Sequence, residues 1–257
     1  MAITAPAYKL YHDAADAGLI PRGGDLLEFG EANWYGDLSP DILKQDIAAR
    51  IQDPERRLAL ESELAAALAA PVGGDFKIAK VFYRLYFDPK RHDAIDYQGT
   101  EIAIRHDLNT PFRPERPYDV CINNGTAEHI FNIANFFASV HAATKPGGLM
   151  FHESPLLGWI DHGFYTLQPT LYFDLAEANG YFLMGLYLCS LSPIGYTPLL
   201  DRKAVVGLMR ELYLPRNATL FALLRKGAVE SAFRWPTQGF YAGRLDDDAV
   251  LAWRQTR

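Results

Sequence analysis

The sequence predicts a doubly wound α/β domain, a mostly parallel sheet with helices on both faces. Three observations predict it. Short apolar runs alternate with helical patterns from Leu26 to Leu224, the order that parallel strands with crossover helices require. The first run, Leu26–Gly36, reads L-L-E-F-G-E-A-N-W-Y-G and ends in a carboxylate, a glycine and a turn. That suits a buried strand delivering its carboxyl end to a small polar ligand. Gly30 lets the backbone approach closely or take positive φ, and Glu28 can fix a polar group. Three later segments, I-D-Y at 95–97, H-D-L-N at 106–109 and N-N-G-T-A-E-H at 123–129, carry the same kind of polar ending.

Residues 8–18 read as a short helix ahead of a first strand at 25–29. Ser39-Pro40-Asp41 places a capping hydroxyl before a proline at the first helical position, and Asp53-Pro54-Glu55 repeats the device. Leu60, Leu64 and Leu68 recur at i+4 spacing as one apolar stripe, which Pro71, Gly73 and Gly74 end. This pair, within a helical insertion at 37–75, reads as a lid or dimer element of a single domain spanning 1–257. A helix at 76–87 precedes strands at 92–96 and 101–106. Pro111, Pro114 and Pro117 mark the loop before the strand Tyr118–Ile122. Thr126 is the expected cap of a helix with Ile130, Ile133, Phe137 and Val140 on one face. The turn Lys145-Pro146-Gly147-Gly148 hands over to the strand Leu149–Glu153. Pro169 opens a helix that Asn179-Gly180 closes. A strand at 181–189, a helix at 201–212 and the strand Ala218–Leu224 follow, and 226–257 is a C-terminal extension without an assigned role.

A chain of 257 residues suffices for one large α/β domain with a helical appendage. A mean hydropathy of -0.09 fits a soluble globular protein with a full core, and the unpaired cysteines, the N-terminus and the short apolar stretches lead to the expectation of a cytoplasmic protein. A net charge of -6 with no run of basic residues argues against a nucleic-acid partner. The longest apolar stretch, 181–189, is too short for a bilayer, which needs about 20 residues, so no membrane partner is expected. The N-terminus lacks the basic flank and apolar core of a signal peptide. Cys121 and Cys189 stand in apolar runs and read as buried free thiols.

With these pieces in order, the chain resembles the class I S-adenosylmethionine-dependent methyltransferases over residues 20–225. L-L-E-F-G at 26–30 is similar to the family's first motif. The resemblance implies cofactor binding by Glu28, Gly30 and Glu31 in this segment. Asp96, with Tyr97 beside it, would accept from the ribose hydroxyls, since a carboxylate presents paired acceptors to a vicinal diol. Asp107 would accept from the adenine amine, Leu108 would pack on the ring, and Asn124 and Gly125 would lie by the methionine end. The resemblance also implies a Rossmann-like seven-stranded sheet whose last strand, 218–224, inserts antiparallel beside the fifth. K-P-G-G at 145–148 is similar to the family's turn before that fifth strand. Two features depart from the pattern. Ala32 stands where the family usually has a second glycine, and alanine disfavours positive φ. Asp96 also lies well beyond the usual spacing of about 20 residues, which an inserted helical pair at 39–70 would account for.

Titratable groups concentrate after the fourth and fifth strands: Glu128, His129, His152, Glu153, Asp161 and His162. In an open parallel sheet such groups are expected to meet in one cleft. Methyl transfer needs alignment, and a base only where the nucleophile carries a proton. His129, His152 and His162 are therefore the candidate catalytic residues, because imidazole titrates near neutrality. Each has a plainer reading. Glu128 and His129 lie on a helix's first turn, where a carboxylate favours the dipole. His152 alternates with Phe151 at a strand end, and Asp161-His162-Gly163 fits an Asx turn. The six groups also suit Fe(II), Mn or Zn, but no tight H-x-x-x-H spacing unites them and no metal is assigned. Trp159, Phe164, Tyr165 and Tyr172 line an apolar pocket or pack in the core.

The expectation is thus an enzyme transferring a methyl group from S-adenosylmethionine to a small-molecule acceptor, with homodimer formation left open. A nicotinamide-dependent oxidoreductase should open its helix with G-x-G-x-x-G, where this chain has G-E-A-N-W-Y-G. A catalytically inactive, methyltransferase-like binding protein stays open because of Ala32. The N-P-P-Y or D-P-P-Y tetrapeptide of the family's DNA- and glutamine-methylating branches is missing, and N-N-G-T stands there.

Overall fold

The computed structural model describes residues 2–208 and 214–255. The chain divides into two compact units, 1–106 and 107–257. Both are mixed α/β, and among the described residues no helix is long and apolar enough to cross a membrane.

The first unit runs β1 (Ala2–Ile3), α1 (Ala5–Asp16), β2 (Asp25–Phe29), β3 (Asn33–Trp34), α2 (Asp41–Arg50), α3 (Pro54–Leu68), α4 (Gly74–Tyr86), β4 (Arg91–Ile95) and β5 (Ala103–Ile104). β5, β4 and β2 lie side by side in parallel, with Phe29 opposite Ile95 and Ile95 opposite Ile104. Leu26, Leu27, Glu28 and Phe29 are all buried, as in a strand covered on both faces. Phe82, Tyr83 and Tyr86 of α4 pack edge-on or tilted against Tyr8 and Tyr11 of α1 and against His92, forming an aromatic core. Asp46 of α2 is buried in it and accepts from the hydroxyls of both Tyr8 and Tyr86.

The inserted helical pair forms as expected, with two differences. The α3 stripe is Leu60, Leu64 and Ala67, and Leu68 is 43% exposed. At 3.6 residues per turn, position 67 continues the buried face and 68 turns away from it. At α2 the cap position is Pro40, and the Ser39 hydroxyl accepts from Asp41 N at 3.3 Å. Asp53 caps α3 as expected, accepting from Glu55 N.

The second unit runs β6 (Tyr118–Asn124), a 3₁₀ turn (Ala127–His129), α5 (Ile133–Ala143), β7 (Thr144–Leu157), α6 (Pro169–Asn179), β8 (Phe182–Leu191), β9 (Ile194–Pro198), α7 (Arg202–Leu208), β10 (Ala218–Arg225) and α8 (Asp247–Gln255). β6 is parallel to β7, with Asn123 opposite His152 and Asn124 opposite Glu153. β10 lies antiparallel between β7 and β8, so β6, β7 and β8 share one direction. This is the antiparallel insertion the resemblance implied. The seven expected strands are all present, β2, β4 and β5 in the first unit and β6, β7, β8 and β10 in the second, and β9 is added by hairpin with β8.

Two boundaries differ from expectation by several residues. Thr126 makes no side-chain cap; the segment after it is a 3₁₀ turn, and α5 starts later, capped by Asn132. β7 begins at Thr144 and absorbs the Lys145–Gly148 turn. α7 is described over Arg202–Leu208, and the remainder of the expected helix, 209–212, lies outside the described residues. The C-terminal extension is strapped down: Asn179 donates to Arg234 O and accepts from Arg234 N, and the His141 ring bonds Ser231 O. Phe240 of this extension stacks on Trp253 and helps line an apolar cavity of about 310 Å³ with Phe173 and Leu188.

Candidate functional site

In the first unit the chain leaves β2 at Gly30, whose φ of +83° needs a glycine. Gly30 N donates to Ile95 O, so the loop starts against the end of β4. Glu28 turns inward: one oxygen meets His92 Nε2 at 2.7 Å and the other accepts from Ala32 N at 2.9 Å. It braces the loop from within. Ala32 is 2% exposed and has no positive φ, so this loop does not use the second glycine of the usual pattern.

Glu31 is buried too. It accepts from Thr100 N and from Thr100 Oγ1, and Lys80 Nζ stands 3.5 Å away. Gly99 makes room for it, since a Cβ at 99 would stand 2.5 Å from Glu31 Oε2. Asp96 follows β4 and is half-buried; its oxygens accept from Glu31 N at 3.1 Å and Gln98 N at 2.8 Å. An ionised carboxylate has about four lone-pair sites, so acceptor capacity remains after these two bonds. Tyr97 is 63% exposed.

In the second unit Asp107 forms an Asx turn, accepting from the backbone and side-chain nitrogens of Asn109 at 2.9 Å. Leu108 is buried, and Asn135 of α5 donates to Leu108 O and Thr110 O, clamping the loop. Asn124 is buried at the end of β6, and Gly125 takes a φ of +82°.

The structure brings Glu128, His129 and His162 together, with ligand atoms all within 4.8 Å of one another. Glu128 Oε1 lies 3.9 Å from His129 Nε2 and 3.7 Å from His162 Nε2, and the two imidazole centroids are 5.0 Å apart. Glu128 is 1% exposed, and its Oε2 has no hydrogen-bond partner. Burial pushes its carboxyl up to about 7, with the charge of Glu153 adding to the shift. Burial also lowers the His129 pKa, helped by His162. The loop carrying His162 is stapled to the Glu128 turn, where Phe164 N donates to Glu128 O at 2.8 Å, and to the start of β10, where Trp159 Nε1 donates to Ala218 O at 2.9 Å.

His152 lies outside this group. It is 2% exposed, packed between Phe137 and Tyr172, and burial lowers its pKa to about 3. Its Nδ1 faces Asn123 Nδ2 at 3.4 Å, while Asn123 Oδ1 accepts from Thr126 N and Ala127 N. His152 thus reaches the 3₁₀ turn through Asn123. Glu153 accepts from Thr219 Oγ1, and Asp161 sits at φ +60° in the loop. Asn123, Lys80 and Thr100 were missed from sequence; Lys80 and Thr100 carry no local signal, while Asn123 stood in the N-N-G-T run.

No protein-family model matches the chain, and no curated relative matches its sequence. Among solved structures, the N-methyltransferase NodS of Bradyrhizobium japonicum WM9 in complex with S-adenosylhomocysteine is similar at 12% identity and a TM-score of 0.46, covering 87% of this chain and 88% of NodS. The 1,6-didemethyltoxoflavin-N1-methyltransferase of Burkholderia thailandensis is similar at 13% identity and a TM-score of 0.47, covering 87% of this chain and 77% of that one.

Proposed function

We propose that the protein transfers a methyl group from S-adenosylmethionine to a small-molecule acceptor. One observation carries the reading. Gly30 ends β2 in the left-handed region against the end of β4, and the Asp96 carboxylate there is bonded to the loop Gly30 opens. Parallel strands present ligands at their carboxyl ends, and a half-buried carboxylate with acceptor capacity suits a ribose diol. In this reading Glu28 and Glu31 hold the loop, and Asp107 and Leu108 take the adenine.

Held by Asp96 and the Gly30 loop, S-adenosylmethionine would supply an electrophilic methyl carbon for in-line displacement by the acceptor's nucleophile, its carbon–sulfur bond breaking and S-adenosylhomocysteine leaving. An acceptor that carries a proton passes it to the imidazole of His129 or His162. Burial keeps His129 neutral at pH 7, so it can take that proton. His152 acts as a positioning residue through Asn123.

The test is calorimetric titration with S-adenosylmethionine, S-adenosylhomocysteine and NADPH. Binding of the first two, weakened by Asp96→Ala in a folded variant, is the expected result. Binding of NADPH alone, or of none, overturns the reading.

A further inference from the structure

We propose that Glu128, His129 and His162 form a binding site for one divalent transition-metal ion, a two-histidine, one-carboxylate site on the second unit. The inference goes beyond the methyl-transfer reading and does not depend on it; it replaces only the assignment of His129 and His162 as proton acceptors, since an imidazole nitrogen bound to a metal cannot take a proton. Imidazole and carboxylate together suit borderline cations such as Zn(II), Fe(II) and Mn(II).

The geometry already approximates a first coordination sphere. Bonds of about 2.1 Å in a tetrahedral site place donor atoms roughly 3.4 Å apart. Glu128 Oε1 stands 3.7 Å from His162 Nε2 and 3.9 Å from His129 Nε2, within a few tenths of an ångström of that spacing, and all three donors lie within 4.8 Å of one another, so a rotation of the two exposed imidazoles closes the set. The same distances exceed a hydrogen bond. The imidazoles therefore gather around the carboxylate without bonding to it. A second observation points the same way: Glu128 Oε2 is buried and has no partner, a costly state for a carboxylate oxygen that a bound cation, like a proton, relieves.

The backbone supports the set. Asn123 holds the 3₁₀ turn that carries Glu128 and His129, and the bond from Phe164 N to Glu128 O pins the His162 loop against it. Both imidazoles are about two-fifths exposed, which leaves an entry path. Three protein donors leave at least one tetrahedral position for water or for an anionic heteroatom of a ligand, as in sites that act on substrates. The chemical class taken there is a hydroxylate, carboxylate or other hard oxygen donor.

The experiment uses the full-length protein, treated with chelator and dialysed, titrated with Zn(II) by calorimetry and with Co(II) by absorption spectroscopy. The expected result is one ion per chain, with affinity reduced about tenfold or more in each of Glu128→Gln, His129→Ala and His162→Ala. His12→Ala, which removes a half-buried histidine beside Asp13 and Asp16 in the other unit, is expected to bind as the unaltered protein does. Circular dichroism identifies any variant that fails to fold, and the remaining two then decide. Lack of a stoichiometric ion, or binding that survives all three substitutions, or binding lost with His12, overturns the proposal. Both titrations omit S-adenosylmethionine. A protein that binds the cofactor but no ion refutes the metal site alone, and one that binds the ion but no cofactor refutes the methyl-transfer reading alone.

Discussion

Gly163 lies so close to Glu128 that a Cβ at residue 163 would stand 2.9 Å from the Glu128 carbonyl oxygen and 3.2 Å from its Cγ. That contact lets the His162 loop sit directly on the turn bearing Glu128 and His129. Gly163→Ala is expected to force the two segments apart, at a cost of about 1–3 kcal/mol in urea unfolding. Zn(II) affinity should fall with it, because His162 moves with the loop. Unfolding and Zn(II) affinity both unchanged would show that the packing does not hold the site.

Glu128 gives a stability prediction with a defined sign. Its pKa is raised in the folded state from 4.5 to about 7, so between these values the folded protein holds a proton the unfolded chain has released. Stability from this group is full below pH 4.5 and is lost as pH rises through 7. In chelator, Glu128→Gln should remove that loss, gaining about 3 kcal/mol on the unaltered protein between pH 4.5 and pH 8. Parallel urea curves across this range would refute the shift.

Part of this fold was legible because its signals are local. Pro169 and Gly180 bound α6, and Gly180 takes the expected left-handed conformation at φ +64°. The start of α5 was not, because Thr126 and Asn132 are both capping residue types, and the chain between them forms a 3₁₀ turn that leaves the cap to Asn132. β9 was missed because Ile194-Gly195-Tyr196-Thr197-Pro198 carries a glycine and a proline and is an exposed edge strand. For the site, Glu128, His129 and His162 could be named together from sequence, but their convergence depends on a loop packing back onto a turn. Lys80 and Thr100, partners of Glu31 from 49 and 69 residues away, leave no trace in local pattern.

Lys80 tests whether Glu31 holds the first loop in place. Its ammonium stands 3.5 Å from a carboxylate that is 2% exposed, and it bonds Thr100 Oγ1 at 2.7 Å. Lys80→Met keeps the length of the side chain and removes the charge. The two Thr100 bonds still satisfy Glu31 in part, so the expected cost is about 2 kcal/mol rather than that of a fully stranded buried charge. Chemical denaturation measures it. A cost near zero would mean that Glu31 is held by Thr100 alone.

His152 gives the opposite pH dependence to Glu128. Asn123 Oδ1 accepts from two backbone N–H groups, which turns Asn123 Nδ2–H toward His152 Nδ1 and requires that nitrogen to be an unprotonated acceptor. Burial agrees, lowering the pKa from 6.5 to about 3. Below pH 6.5 the unfolded chain binds a proton that the folded protein refuses, so stability is present above 6.5 and is lost as pH falls toward 3. His152→Phe keeps a ring between Phe137 and Tyr172 but leaves the Asn123 amide without its acceptor, at a cost of about 1 kcal/mol at pH 7. At pH 4 the unaltered protein carries a penalty of about 3 kcal/mol from the refused proton, which phenylalanine lacks. The variant should therefore be the less stable at pH 7 and the more stable, by about 2 kcal/mol, at pH 4. Urea unfolding of both proteins at the two pH values measures the crossover. A variant equally destabilised at both would show that His152 takes up a proton in place and is not held neutral.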